Sequence, residues 1–379
     1  MRGGTLGRRL VLGLGVGPAV RWRAGESVLV VGPTRSGKTA GVVIPAILGW
    51  SGPIVVTSVK RDVLDATAPW RRALGEVQVL DPGRDDGLTW DPLEGVAGPR
   101  EAYRVARALT ARVGGRVDAE FWNELAAKVV ALLLVRAREE GADITDVTEA
   151  VERRDLDAWA AAPSPVAASL ADFLGHDART LDSVFTTAET MLWPWRTRQP
   201  HATLHPTLAG PHSLYLCSPR GEQEHYQSLF VGALRAILEE QQRRHDAGCA
   251  RPLLLVLDEA AVVAPLEELD ELAATVAGLD VTLVTVVQDF AQMVARWGQR
   301  AATIVNNHRT RVVFAGLADP TAATYVPELA PRTSPPGRPV PSWRERAPGT
   351  ALVVAGHRRA VTVASRPWWR GPLARRGAT

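Results

Sequence analysis

Ser27–Trp50 reads SVLVVGPTRSGKTAGVVIPAILGW. Its first five residues form a short apolar, β-branched run, the signature of a buried strand. Gly32–Thr39, GPTRSGKT, matches G-x-x-x-x-G-K-[ST] in full. The apolar stretch from Ala40 has helical length. Strand, glycine loop and helix therefore stand in the order that a phosphate-binding loop requires. The glycines let backbone N–H groups turn inward around phosphate oxygens, and the helix start adds unpaired N–H groups and a positive dipole end. All eight residues, Gly32, Pro33, Thr34, Arg35, Ser36, Gly37, Lys38 and Thr39, are candidates for binding ATP. Lys38 is expected to reach the β- and γ-phosphates, and the Thr39 hydroxyl to hold Mg²⁺. Pro45 inside the following helix is expected to kink or shorten it.

Composition permits a globular protein with a substantial core. The chain has 379 residues, 46% apolar and 22% charged, with a net charge of +3. This mild basicity allows a nucleic-acid partner without requiring one. Arginine supplies nearly all the positive charge, because Lys38, Lys60 and Lys128 are the only lysines. Cys217 and Cys249 form no C-x-x-C pair and read as reduced thiols of a cytosolic protein. No apolar run reaches the roughly 18 residues of a membrane span. Leu10–Val16 is glycine-rich and short, and reads as part of a β-hairpin before the first core strand rather than a leader.

Further strands are expected at Ile54–Ser58, Val77–Leu80, Ser213–Ser218, Leu253–Leu257, Val281–Val287 and Val312–Phe314, with a terminal hairpin over Ala351–Val354 and Ala360–Val363. Strands that alternate with helices argue for an α/β fold with a mostly parallel sheet covered on both faces. Between about Arg100 and Trp195 the period is helical throughout, with Asp118 as the expected N-cap of a long helix over Ala119–Glu140. The expected organisation is a first part of the nucleotide-binding domain over 1–98, an inserted all-α domain over 99–200, and the second part over 201–379. That last part carries a proline-rich segment and a basic C-terminal tail. Trp122, Trp159, Trp193 and Trp195 read as core or seam residues. His201 and His205 lie in a proline-broken loop and read as solvated rather than metal-binding.

A phosphate loop needs an acidic strand end to hold and use its metal. LLLVLDE, Leu253–Glu259, supplies it: Asp258 to orient the Mg²⁺ shell and Glu259 to polarise the attacking water. Gln288, at the end of the next strand, is placed to bond both the lytic water and the γ-phosphate. Arg296, Arg309 and Arg311 are candidates for an arginine that a neighbouring subunit's site receives, with Arg309 preferred.

At this point the chain resembles the TraG/TraD-type coupling proteins of type IV secretion, relatives of the FtsK/HerA motors. The resemblance runs from about Gly13 to Leu329 and rests on GPTRSGKT, VVTSVKRD (Val55–Asp62), WDPLEG (Trp90–Gly95), FWNELA (Phe121–Ala126), LLLVLDEA (Leu253–Ala260), VTVVQD (ending at Asp289) and IVNNHRTRVVFAGLADP (Ile304–Pro320). The first and fifth motifs are shared by many RecA-like ATPases, whereas the WDPL, FWN and NNHR segments are far more particular. The resemblance implies a homo-hexameric ring with ATP and Mg²⁺ at subunit interfaces. It implies hydrolysis that drives single-stranded DNA, with its attached relaxase, from the relaxosome towards a type IV secretion channel, with the all-α domain facing relaxosome and cargo. Members usually carry two N-terminal membrane helices, which this sequence lacks. The expectation is a cytoplasmic protein at the inner face of the membrane, held there by partners or by an anchor missing from its start. An ATP-gated adaptor that recruits protein cargo without pumping DNA is the alternative. A motor on double-stranded DNA is disfavoured, because no winged-helix tail follows Pro348.

Overall fold

The computed structural model describes residues 9–11, 21–23, 25–84, 88–110, 117–161, 163–196, 208–329, 343 and 346–377. The strands are β1 (Arg9–Val11), β2 (Arg21–Arg23), β3 (Ser27–Val31), β4 (Ile54–Ser58), β5 (Val77–Leu80), β6 (Ser213–Cys217), β7 (Leu253–Leu257), β8 (Val281–Val287), β9 (Thr310–Phe314), β10 (Thr350–Ala355) and β11 (Val361–Ala364). β1 and β2 pair antiparallel as the expected hairpin. The other nine form one sheet in the order β11-β10-β9-β3-β8-β7-β4-β6-β5. From β9 to β6 every neighbouring pair is parallel. β10 runs antiparallel to β9 and to β11, which closes one edge. The fold is α/β and RecA-like, as expected.

Why these runs become central strands is visible in their burial. Every residue of β3, β4, β6, β7 and β8 is buried, so both faces are covered by other elements. Near-continuous apolar strands of this kind are stable only under such cover. Val28, Val30, Val256, Val284 and Val312 share one face and pack with Val42, Ile47 and Leu64 from the helices over it.

Chain contacts divide the molecule into two compact units. The first comprises Met1–Val79, Pro206–Cys217 and Gln241–Thr379, and the second Leu80–His205 and Ser218–Glu240. Between Pro99 and Trp195 the described residues of the second unit contain no strand. Its longest helix is Val117–Glu140. Because that helix starts at Val117, Asp118 stands inside its first turn and is not the N-cap expected from the sequence. Asp143 does cap the helix Ile144–Arg153, in a reciprocal capping box with Asp146.

Two expectations about individual residues are corrected. Trp195 is buried and its indole donates to Trp90 O at 2.9 Å, whereas Trp193 is 40% exposed and lies under the Arg196 guanidinium. Rotation of one short 3₁₀ turn, Trp193–Trp195, points these two rings in different directions. Pro45 does not end the helix after the phosphate loop. Residues Thr39–Val43 form a wide π-type turn, and the α-helix Ile44–Gly49 starts with Pro45 in its first turn, where a missing N–H is harmless. The expected loop with His201 and His205 lies outside the described residues, as does most of the proline-rich segment. The tryptophan–arginine tail packs on its own unit. Arg376 lies over the Trp70 ring at 4.7 Å and donates to Leu48 O at 2.8 Å.

Candidate functional site

Parallel pairing brings the ends of β3, β8 and β7 to one edge of the sheet, with the β8 end between the other two. The loop after β3 is shaped by unusual backbone angles. Arg35 has φ 64° and Gly37 φ 97°, so Gly37 meets a demand that other residues satisfy only with strain. Gly32 is required for another reason: a Cβ there would stand 2.6 Å from Phe314 Cβ and 2.8 Å from Ser36 Oγ.

Lys38 is buried, and its ammonium donates to the carbonyls of Gly32 and of Pro33, the latter at 3.0 Å. Burial lowers its pKa, while the nearby charges of Glu259, Asp258 and Asp289 act in the opposite direction. Ser36 Oγ is enclosed in the loop with no hydrogen-bond partner. A buried hydroxyl left unpaired is unfavourable, and an incoming oxyanion would satisfy it. Thr39, half-buried, opens the wide turn. Thr34 and Arg35 are exposed at the loop's tip.

At the end of β7, Asp258 is buried and its carboxyl is pushed up to about 7, first by burial and then by the charge of Glu259; Lys38 pulls it down. Its backbone carbonyl accepts from Thr57 Oγ1 at 3.2 Å, which ties it to β4. Glu259 adopts a left-handed conformation, φ 56° and ψ 46°, which is uncommon for a non-glycine residue. That turn directs its carboxylate to β8, where Gln288 Nε2 donates to Glu259 Oε2 at 3.1 Å. Gln288 is held in turn by its own N–H, which donates to Gln292 Oε1 at 3.1 Å. Asp289 caps the helix Phe290–Trp297. Lys38, Asp258, Glu259 and Gln288 thus meet in one chain.

Arg309 does not join them. It precedes β9, which runs parallel to β3, so it lies at the opposite edge of the sheet, roughly 15 Å along the strands from the loop. There it pairs with Glu26 at 3.3 Å. Arg311 sits at the same edge, while Arg296 lies in the last turn of Phe290–Trp297.

Asp62 and Gln292 escaped the sequence reading. Asp62 adds negative charge at Asp258, and Gln292 fixes the Gln288 backbone. The D-x-x-Q spacing Asp289–Gln292, the pattern of a capping box, was the available signal for Gln292, although its side chain accepts from Gln288 N and not from the N-cap.

The particular motifs have structural work as well. Trp90 of WDPLEG fills the space that a side chain at Gly232 would need, and Asp91 Oδ1 accepts from Leu93 N at 2.8 Å to start a 3₁₀ turn. Phe121 of FWNELA is 59% exposed and stacks edge-on with Trp122. His308 is buried, bonded to Ile304 O and to Thr285 Oγ1, and burial drives its pKa down to about 4.

The sheet order, the loop and the acidic strand end define a RecA-like P-loop nucleotide-binding protein. A family model described as "Type IV secretory system Conjugative DNA transfer" matches residues 5–161, and a second, "TraM recognition site of TraD and TraG", matches 252–331. The chain belongs to the TraG/TraD-type coupling-protein family. It is 24% identical over 315 residues to the conjugal transfer protein TraG of Escherichia coli, a match that covers 72% of this chain and 49% of that protein. A 91-residue stretch is 34% identical to protein VirD4 of Agrobacterium fabrum, covering 22% of this chain and 14% of that one. The chain spans about half the length of the TraG relatives it matches. In three dimensions it resembles the bacterial conjugative coupling protein TrwB, at a TM-score of 0.71 and 16% identity over 92% of this chain and 88% of that one. TrwB has also been solved with ADP and Mg²⁺, and that form superposes equally well, at a TM-score of 0.71. VirB4 of Thermoanaerobacter pseudethanolicus shares the fold at a TM-score of 0.59 and 13% identity, covering 99% of this chain and all of that one.

Proposed function

We propose that this chain is a DNA-dependent ATPase motor that couples a relaxosome, single-stranded DNA with its relaxase, to a type IV secretion channel in conjugative transfer. The observation that carries the enzymatic part is the meeting of Lys38, Glu259 and Gln288 at the carboxyl edge of the sheet, with Gln288 bonded to Glu259. The residues present fit Mg-ATP: Ser36 Oγ lacks a partner, Lys38 is held by carbonyls it can exchange, and the Asp258 carboxyl, pushed up to about 7 by burial and Glu259, would gain a counter-charge from Mg²⁺. Lys38 would transfer its hydrogen bonds from Gly32 and Pro33 to β- and γ-phosphate oxygens. Thr39 and Asp258 would hold Mg²⁺, whose charge would stabilise the phosphoryl oxygens. Glu259 would orient and deprotonate the attacking water, and Gln288 would transmit the state of that position to β8 and to the helix that Asp289 caps.

Arg309 is our candidate for the arginine delivered to a neighbouring copy in a homo-hexamer. Its place at the far edge of the sheet suits a role outside its own site, and to serve there it must release Glu26. The family membership supports single-stranded DNA, relaxosome proteins and the secretion channel as partners. Among the described residues no helix is long and apolar enough to cross a membrane. Our reading assigns the chain to the inner membrane face, held through partners or through an anchor outside these residues. The domain reading, 1–98 with 201–379 for nucleotide and 99–200 for relaxosome and cargo, is part of the same proposal.

The test is steady-state ATP hydrolysis with and without single-stranded DNA, beside Lys38→Ala, with mass by light scattering on the same samples. Stimulation that accompanies a larger species and disappears in the variant is expected. ATP binding without turnover, in a monomer indifferent to DNA, would overturn the motor and favour the cargo adaptor.

A further inference from the structure

The NNHRTR segment, Asn306–Arg311, takes no part in the site above, yet it forms one wall of a large opening. At the amino edge of the sheet a cleft of about 500 Å³ is bounded by the start of β3, by Ala273–Ala277, and by Gly356 and His357 between β10 and β11. Two guanidinium groups line it, those of Arg309 and Arg311. Arg309 is answered by Glu26, the only acid among the described lining residues. The Arg311 side chain is half-buried and has no hydrogen bond or ion pair among the described residues; its Nε is fully enclosed without an acceptor.

The neighbouring groups do not compensate it. His308 is bonded to Ile304 O and Thr285 Oγ1 and has no negative charge to offer. Asn307 Nδ2 is committed to Asp270 O at 2.9 Å, and the Asn307 backbone carbonyl accepts from Ser27 Oγ at 3.1 Å. An enclosed Nε–H without an acceptor is unfavourable, and the half-buried guanidinium that carries it lines a cleft into which an acceptor can come. Burial also lowers the Arg311 pKa, the direction expected for a cation whose counter-charge is absent.

We infer that this cleft binds phosphate groups, with Arg311 as the principal anchor, and that the phosphates are those of a nucleic-acid strand. Arginine presents a planar fork that matches two phosphate oxygens. The cleft is far larger than one phosphate and open to solvent, which suits a chain passing through it. It is not the nucleotide site of the same chain, because the phosphate loop lies at the other edge of the sheet. The choice of nucleic acid rests on the function proposed above; the phosphate chemistry rests on the cleft alone.

The experiment measures anisotropy of a fluorescein-labelled oligothymidylate against the full chain, without ATP, across a salt series. Arg311→Met is expected to weaken binding about 5-fold and to reduce the salt slope by about 0.7, the value for one phosphate contact on a single strand. Arg311→Lys, which keeps the charge and loses the fork, should bind between the parent and Arg311→Met. Ala274→Glu, on the exposed rim, should weaken binding without touching Arg311, and it decides the matter if Arg311→Met does not fold. Binding of a fluorescent ATP analogue at the phosphate loop should be unchanged in all three. A second arm titrates ATP against Lys38→Ala with and without Arg311→Met. Residual ATP binding lost only in the double variant, with oligonucleotide binding unmoved, would keep the phosphate site and overturn the nucleic-acid assignment. If neither ligand responds to Arg311→Met or Ala274→Glu, the site is refuted. Because the oligonucleotide measurement contains no ATP, its outcome is independent of whether Lys38→Ala abolishes turnover.

Discussion

Replacing Gly41 by alanine should reverse the sign that helix propensity alone would give. Gly41 lies in the wide turn three residues beyond Lys38, at an ordinary negative φ. In a free helix the change to alanine stabilises by roughly 0.5–1 kcal/mol, because alanine has less backbone freedom to lose. Here an added Cβ would overlap Ser365 Oγ and lie 3.3 Å from Ser365 Cβ. Ser365 cannot simply withdraw, since its N–H donates to Gly349 O at 2.6 Å. Overpacking of this kind is unfavourable by about 1–3 kcal/mol, so the net effect is a loss of about 1–2 kcal/mol. The assay is urea unfolding with a fluorescent ATP analogue titrated in parallel, for Gly41→Ala, Ser365→Ala and the pair. Removing the Ser365 hydroxyl should restore most of the stability, with a coupling of about 1 kcal/mol or more, and nucleotide affinity should recover with it. A stabilising Gly41→Ala, or no rescue by Ser365→Ala, would refute the docking of the β11 end on the helix that follows the phosphate loop.

Glu259→Gln should lower kcat by about 10²–10⁴-fold while ATP affinity stays within about 3-fold, measured by phosphate release and analogue binding; an unchanged kcat would remove Glu259 from the reaction. Arg71→Met should destabilise by about 3–5 kcal/mol in denaturant unfolding. The fully buried guanidinium donates to Trp50 O, Gly52 O, Pro211 O and Ser213 Oγ at 2.7–2.9 Å, and all four acceptors, two buried and two partly buried, would lose a charged donor. The stability contribution of His308 should be present above pH 6.5 and lost as pH falls towards 4. Its folded pKa, about 4, lies below the ordinary 6.5, so the unfolded chain takes up the proton first. The contribution is on the order of 3 kcal/mol, and unfolding free energies at pH 7 and pH 5 should converge in slope for His308→Gln.

Motifs whose meaning is local were legible from residues alone. GPTRSGKT requires a strand before it and a helix after it. Asp258 and Glu259 end an apolar run, and the apolar runs themselves are long and β-branched enough to name the buried strands. Side-chain direction at short turns was not legible in the same way. Trp193 and Trp195 have the same chemistry and opposite environments, because a 3₁₀ turn of three residues separates core from solvent. Asp118 looked like a cap because it precedes an apolar period, but the helix begins one residue earlier and cap geometry depends on backbone angles that composition does not reveal.

From its sequence alone this protein was assigned an α/β nucleotide-binding fold, an all-α stretch after the third core strand, and the residues from which a phosphate site could be built. Those conclusions depend on spacing of a few residues, where backbone geometry leaves little choice. Only tertiary structure decided which distant residues meet. Strand order sets β8 between β3 and β7, so Gln288 reaches Glu259 although 29 residues separate them. The same parallel pairing sends Arg309 to the other edge, and the antiparallel return of β11 places Ser365 against Gly41. Long-range pairing is chosen by the burial of whole faces and by the cover each strand receives, and no local period in the chain records it.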